Sequence, residues 1–549
     1  MPGGLLNLIA VGNQNVILNG NPKKTFFKST YSKYTNFGLQ KFRIDFMGMR
    51  NLKIKEESHY SFKIPRYGDI LLDTYLVVTL PDIWSPIYRN ISTEGDITDT
   101  GTWAPYEFKW IKNIGTQMIK EITITSGNST LQSYSGDALT LLLQRDLNIT
   151  QKHKLDIITG NIEELNDPAN AYGRTNQYPN AVFDNNYARV DSEPSIRSRK
   201  IYIPIKSWFT QSSKQGLPLV AMQYNELYIN ITLRPVCELY LVKEVTNKIN
   251  MNNYIKPLDT AEYSFYRFLT SPPEHSEGPE YLLNYSDRRS DWNSDIHLIS
   301  TYGFLSNEEN RQFAKETHEY LIKDIREFKF NDIYGSKKVN IPSTGLVSTW
   351  TMFLRRNDAY KRNQWSNYSN WETDTIPSNV ISLKDKLGTI EGINFDFSVI
   401  DAYESGQYDY RNEKNILLSL GILCDGKYKE NVFEEGIFHR IENYMKSNGL
   451  CKDGIYTYNF CFDNNPENLQ PSGAMNLSKF KNIELEISTI EPPDNPNAQF
   501  NVECDENGPV SITKNPNDLF LYTYDLHVIE ERYNVLTFMS GNCGLKFAR

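Results

Sequence analysis

Apolar and polar side chains alternate with a period of two along much of the chain. Leu227, Ile229, Ile231 and Leu233 alternate with Tyr228, Asn230, Thr232 and Arg234. Ile483, Leu485 and Ile487 alternate with Glu484, Glu486 and Ser488, and Phe520, Tyr522, Tyr524, Leu526 and Val528 alternate with more polar neighbours. This pattern sends one set of side chains inward and the other outward on a strand. Ile70 to Leu80 (ILLDTYLVVTL) is apolar on both faces, which suits a strand covered on both sides. Turn chemistry separates the runs: Asn19-Gly20-Asn21-Pro22, Ser126-Gly127-Asn128, Ser271-Pro272-Pro273 and Glu491-Pro492-Pro493-Asp494. Helical spacing is rare. It predicts a helix from Asn307 to about Lys323, N-capped by Ser306 with Glu309 completing a capping box; Phe313, Ala314, Thr317, Tyr320 and Leu321 share its apolar face. A shorter helix is predicted from Asp137 to Asp146. The rest reads as short strands with long connections, hence sandwiches or barrels.

Two stretches echo each other. Gly216 to Pro235 and Pro471 to Ile490 both open on a Pro/Gly-rich lead-in, then show Ala-Met, a short polar stretch and an alternating strand. Two diverged copies of one β-domain would produce this, and so would chance. A length of 549 residues fits about three ordinary domains or two large all-β ones. The 13 % aromatic content suits half-buried pleated surfaces.

The net charge of −9 argues against a DNA-reading protein, because neutralising phosphates needs a positive surface. The charge is unevenly placed. Residues 1–66 hold eleven bases, among them Lys23, Lys24 and Lys28, against Asp45, Glu56 and Glu57; this net +8 leaves −17 on the remainder. Either the segment is a solvated basic face or it touches something acidic. The six cysteines show no CxxC spacing and no zinc-ligand partner, and they are too few for a disulfide framework; a reducing compartment is expected. The opening residues lack the positive start of a signal peptide, and the most apolar run, Ile70 to Leu80, is too short to span a bilayer. N-x-S/T triplets at Asn90, Asn128, Asn148, Asn230, Asn284, Asn367 and Asn476 read as chance in an Asn-rich chain.

Catalytic chemistry finds no anchor. There is no phosphate-binding glycine loop, no G-x-S-x-G elbow and no HExxH. Ser540 in MSGNCG would need His527 and Glu530 as base and orienting acid, but His527 alternates with strand-core residues. His318-Glu319 falls on the surface of the predicted helix. Paired acids such as Glu434-Glu435 and Glu530-Glu531 could serve a glycosidase, but any acidic chain has such pairs; Trp365 and Trp371 in NQWSNYSNW could stack on sugars, though core or interface packing is the commoner fate of a Trp. No catalytic, cofactor-binding or metal-binding residue is assigned, and no cofactor is expected. A glycan-binding or glycan-cleaving β-sandwich is the alternative to a structural role.

Seven collinear blocks then carry a resemblance: Gly3 to Phe37 (GGLLNLIAVGNQNVILNGNPKKTFFKSTYSKYTNF), Ile64 to Pro81, Ile201 to Pro235, Asn307 to Ile322, Asn363 to Trp371, Gln470 to Ile487 and Tyr533 to Ala548. Together they resemble the major capsid proteins of nucleocytoplasmic large DNA viruses, of the mimivirus and phycodnavirus kind. The resemblance implies an all-β double jelly roll: two eight-stranded antiparallel β-sandwiches with a few short helices and long loops. It implies an N-terminal arm over 1–24, a first jelly roll over 25–240, a connecting segment over 241–289 and a second jelly roll over 290–549. It implies a non-enzymatic homotrimer, a pseudo-hexameric capsomer that tiles an icosahedral shell in the virion after assembly in the host cytoplasm. The implied partners are other copies, neighbouring capsomers, minor capsid proteins and, through the basic N-terminal region, an inner membrane surface; direct nucleic-acid binding is not expected. NQWSNYSNW and the segment around Trp84 and Trp103 are candidates for the trimer contact. The stretches 82–110, 150–200, 240–290 and 372–470, outside the blocks, are expected as variable surface loops, some forming outward towers.

Overall fold

The computed structural model describes residues 4–5, 12–89, 103–179, 193–243, 254–261, 263–271, 285, 287–289, 291–374, 413–498, 500–505, 508–514 and 519–547. Two β-sandwiches of the same connectivity follow one another. The first contains β1 (Phe37–Asp45), β2 (Ser58–Lys63), β3 (Ile70–Leu80), β4 (Ile119–Ser126), β5 (Ser129–Ser135), β6 (Arg199–Pro204), β7 (Leu217–Pro218), β8 (Leu227–Leu233) and β9 (His297–Leu305). One sheet runs β1-β9-β3-β7, with β6 also on β3; the other runs β2-β8-β4-β5. The second sandwich contains β10 (His318–Ile333), β11 (Ser336–Asn340), β12 (Leu346–Arg356), β13 (Leu417–Cys424), β14 (Lys427–Glu434), β15 (Ile455–Asn459), β16 (Met475–Asn476), β17 (Ile483–Thr489), β18 (Tyr524–Met539) and β19 (Asn542–Leu545). Its sheets run β10-β18-β12-β15 and β11-β17-β13-β14, with β16 on β12 and β19 on β18. Strand for strand, the second order repeats the first. Folding two sheets face to face leaves few free edges, which is what a jelly roll achieves.

The alternating strands are half-buried as their sequences dictate. Leu227, Ile229, Ile231 and Leu233 are buried on β8, and Ile483, Leu485 and Ile487 on β17. On β3 the apolar residues Leu71, Leu76, Val77, Val78 and Leu80 are buried on both faces. The echo between the two stretches corresponds to equivalent strands: β7 pairs with Ile70 and Leu71 at one end of β3, and β16 pairs with Leu346 and Val347 at the same end of β12. The Ala-Met match itself is out of register. Met475 lies inside β16, whereas Ala221 and Met222 follow β7.

Several expectations need correction. The helix after Ser306 ends at Lys315: it is a nine-residue helix, Asn307–Lys315, with Glu316 extended. Thr317, Tyr320 and Ile322 begin a run of β-branched and aromatic residues, and β10 gains a full antiparallel ladder with β18 by leaving the helix there. Ser306 does cap it, accepting from the Glu309 amide. The boundary at 290 falls too early. His297–Leu305 inserts between β1 and β3, because the closing strand of a jelly roll lies beside its first. The connecting segment is not a free linker either: Tyr263, Phe265 and Phe268 are buried in the first core. The arm extends beyond residue 24, since Gln14 to Asn36 carry no buried side chain and β1 starts at Phe37. The stretch 372–470 is not all loop, for it supplies β13, β14 and β15. The stretch 150–200 contains α2 (Ile149–Thr159), and 82–110 ends in the buried Phe108 and Trp110. Residues 90–102, 180–192, 244–253, 272–284 and 375–412 of the expected loops lie outside the described residues.

Cys424, Cys451, Cys461 and Cys543 are buried and unpaired by disulfides. Burial pushes the Cys451 thiol up to about 11 and that of Cys543 up to about 12.

Candidate assembly surfaces

The predicted short helix is present as α1 (Gly136–Asp146), and it organises the junction between the sandwiches. Ser135 caps it, accepting from the Ala138 amide at 3.1 Å. Every residue of α1 except Gln144 is buried, the charged Asp137, Arg145 and Asp146 included. Part of that cover comes from the second sandwich. Ile322, Ile325, Phe353, Ile529 and Phe538 belong to the same apolar cluster as Leu139, Leu142 and Leu143, so one core crosses the seam.

Polar side chains fix the register of this seam. Glu327 of β10 accepts from the Ser135 amide (2.6 Å) and hydroxyl (2.7 Å) at the start of α1. Two residues on, in the first turn, Arg355 of β12 donates twice to Asp137, both at 3.1 Å. At the far end, Arg145 donates to Asp146 (2.7 Å), to Glu531 of β18 (2.5 Å) and to Thr351 of β12 (3.2 Å). Lys206 closes the group from the other side of Asp146. Burial alone would raise the Asp137 carboxyl, but Arg355 and Arg234 outweigh it and hold it at about 2. Asp146 is likewise held at about 2, with Arg145 and Lys206 overcoming its burial. Gly449 reaches in from the second sandwich, its amide donating to the Arg145 carbonyl at 2.9 Å.

The sequence singled out other residues, and the structure disperses them. Trp365 sits over this junction rather than facing solvent: its indole donates to the Glu238 carbonyl at 3.1 Å and Arg234 lies 4.0 Å from its ring centre. Trp371 is half-buried, with Lys414 5.7 Å from its ring. Trp84 is half-buried, and its amide donates to Phe268; the side chain of Trp103 lies outside the described residues. Ser540 and His527 are separated by most of β18, about 40 Å at about 3.3 Å per residue, so they form no dyad. Ser540 instead occupies the turn between β18 and β19, at φ 52°. Glu530 and Glu531 face opposite ways, Glu530 accepting from the Trp350 indole at 2.9 Å inside the second core. Glu434 ends β14, and Glu435 accepts from Asn415 at 3.1 Å. His318 and Glu319 lie on a strand, not a helix, with Glu319 bonded to Lys546. Of the glycosylation triplets, Asn148 caps α2 and Asn367 is buried. Among the described residues no group of three or more His, Cys, Asp or Glu could hold a metal ion, and no helix is long and apolar enough to cross a membrane.

Among the described residues, two surfaces gather several exposed apolar side chains. The arm before β1 exposes Ile17, Leu18, Phe26, Phe27, Tyr31 and Tyr34 together with Lys23, Lys24 and Lys28; Phe27 is 99 % accessible. The arm holds no acidic residue, and its Thr35 hydroxyl donates to Glu309 at 2.6 Å where the arm meets the first sandwich. The second surface is the flank of the second sandwich formed by β14 and the helical turns after it. There Tyr428, Val432, Phe433, Ile441, Tyr444 and Met445 are exposed. Sequence reasoning missed the seam charges and this flank, because no local pattern marks them.

Comparison with known proteins matches residues 25–270 to the family described as major capsid protein N-terminus, and residues 309–544 to the large eukaryotic DNA virus major capsid protein family. The chain is 28 % identical over 328 residues to capsid protein 1 of Acanthamoeba polyphaga mimivirus, a match covering 59 % of this chain and 44 % of that one. It is 23 % identical to the major capsid protein of Phaeocystis pouchetii virus, with 100 % of both chains covered. In fold it is similar to the Faustovirus major capsid protein, with a TM-score of 0.59, 13 % identity, and 98 % and 99 % of the two chains covered.

Proposed function

The chain belongs to the large eukaryotic DNA virus major capsid protein family, and we propose that it is the structural, non-enzymatic subunit of an icosahedral virion shell. The observation that carries this reading is the repeated sandwich. Two jelly rolls of one strand order stand side by side, locked through α1 and its buried charges. A rigid pair of equal blocks suits a tile. Three copies then give a pseudo-hexameric capsomer, and neighbouring capsomers, together with minor capsid proteins, complete the shell.

The proposed units are an arm up to about residue 36, a first jelly roll closing with β9, and a second jelly roll from β10 onward. The arm carries the finer partner assignment. Its four bases, Lys23, Lys24, Lys28 and Lys33, interleaved with exposed aromatic residues, fit an anionic surface on the inner side of the shell, either a minor capsid protein or a membrane. A basic residue near an anionic bilayer gains on the order of 1 kcal/mol before screening. The acidic remainder makes direct nucleic-acid binding unfavourable.

Electron microscopy and light scattering of the purified protein test the reading. Trimers with a six-lobed outline support it. A stable monomer at micromolar concentration, with sugar-dependent activity, overturns it in favour of a glycan-directed sandwich.

A further inference from the structure

Phe108–Trp110, Tyr240–Lys243 and Tyr254–Ile255 form a small three-stranded sheet, with Tyr240–Lys243 in the middle. Strand alternation puts Phe108 and Trp110 into the first core and turns Lys109 the other way. Lys109 is half-buried, and its ammonium lies 3.6 Å from the centre of the Tyr254 ring. An aromatic face attracts a cation, but it supplies no hydrogen-bond acceptor in place of lost water.

The carboxylate two residues back is already taken. Glu107 receives the Lys243 ammonium on one oxygen and the Tyr254 hydroxyl on the other, each at 2.5 Å. Among the described residues, no carboxylate lies within ion-pair distance of Lys109, and its ammonium makes no hydrogen bond. Other enclosed lysines are paired: Lys206 with Asp146, and Lys452 with Asp374 at 2.8 Å. The charge of Lys109 is therefore poorly compensated. Burial, the largest effect, lowers its pKa to about 8 from 10.5; Lys112 adds to this, while Asp167 and Glu107 oppose it. At pH 7 such a shift raises the neutral fraction about 300-fold over an ordinary lysine.

We infer that Lys109 is a covalent modification site, an amine that accepts acyl groups from small acyl thioesters. A desolvated lysine is the usual form of a nucleophilic amine in proteins. The nitrogen lone pair attacks the thioester carbonyl. The C–N bond forms, the C–S bond breaks, and the sulfur leaves as a thiolate that takes up the proton released by nitrogen. The product amide is neutral, so the poorly compensated charge disappears. Glu107 keeps Lys243 and Tyr254, and the surrounding bonds need not rearrange. A carbamate formed from carbon dioxide would instead be anionic and face Glu107 and Asp167, which disfavours it.

The test exposes the full-length protein to S-acetyl-N-acetylcysteamine, a small acetyl thioester, and follows each lysine by peptide mass spectrometry. At about pH 7.5 Lys109 should be acetylated at least tenfold faster than Lys28 of the exposed arm, and its rate should level off above about pH 8. In concentrated urea the two should react alike. Lys109→Arg should lose the fast site and leave the Lys28 rate unchanged. Equal rates at Lys109 and Lys28 in the folded protein would overturn the inference. A Lys109 rate that levels off near pH 8 yet stays below that of Lys28 would also overturn it, because the amine would be neutral but out of reach. So would a rate still climbing at about pH 10, the behaviour of an ordinary lysine.

Discussion

Asp137 and Arg355 form a two-bond ion pair, 3.1 Å on each arm, with one partner contributed by each sandwich. Both side chains are nearly inaccessible to water. A pair so placed costs desolvation to form, and its value lies in register: any slip of α1 along β12 strands a buried charge. Removing one partner is therefore worse than removing both. Asp137→Asn should lower unfolding stability by about 3–5 kcal/mol, while Asp137→Leu with Arg355→Met should recover a large part of that loss. Denaturant titration of the wild type and the two variants checks this, and a double variant no better than the single one would contradict it.

Acid should destabilise the protein through His527. Its ring stacks on Phe353 with centres 4.5 Å apart. Burial, followed by the positive charge of Arg355, lowers its pKa to about 3 from 6.5; Asp137 opposes this, while Lys329 and Arg234 add to it. The unfolded chain therefore takes up this proton first, and stability falls as pH drops from 6.5 towards 3. The slope from this one group is at most about 1.4 kcal/mol per pH unit. Below the ordinary carboxylate range, Asp137 and Asp146, held at about 2, add losses of the same sign. Glu530 is raised by burial and acts the opposite way, so the measurement is a difference. Urea unfolding of wild type and His527→Phe between pH 7 and 4 should show a shallower decline in the variant; parallel curves would rule His527 out.

Gly449→Ala should be disproportionately damaging. A Cβ there would lie 2.4 Å from the Leu147 carbonyl oxygen and 2.5 Å from that of Arg145, both backbone atoms that cannot swing away. The loop must retreat from α1, losing its bond to Arg145. The expected loss is about 1–3 kcal/mol, the scale of an overpacked core site. Thermal unfolding reads it; an unchanged midpoint would show that the loop yields freely.

Deleting residues 1–36 should leave the unfolding midpoint of the isolated protein within about 1 °C, because Gln14 to Asn36 carry no buried side chain. Binding to vesicles containing phosphatidylserine should fall sharply, as it should for Lys23, Lys24 and Lys28 all changed to Glu, and more so at low salt. Equal vesicle binding at every ionic strength would reduce the arm's charge to a solvated patch.

Period-two strands such as β8 and β17, the short helix α1 and the capped start at Ser306 were legible because local pattern marks them. The end of the second helix was not, since Tyr320 and Leu321 satisfy helical and strand spacing equally and only pairing with β18 decides. Likewise β14, KYKENVFE, hides as a loop because it lies at a sheet edge with both faces largely exposed. The seam charges are far apart in sequence. Nothing near Arg145 announces Glu531, 386 positions on, so no reading of spacing could join them.

The buried cysteines bear on what the shell tolerates after leaving the cell. Disulfide exchange and oxidation proceed through the thiolate. With Cys451 held near 11 and Cys543 near 12, each is almost wholly protonated at neutral pH. These two positions thus present little thiolate to an oxidant, one beside α1 and the other in the β18–β19 hairpin.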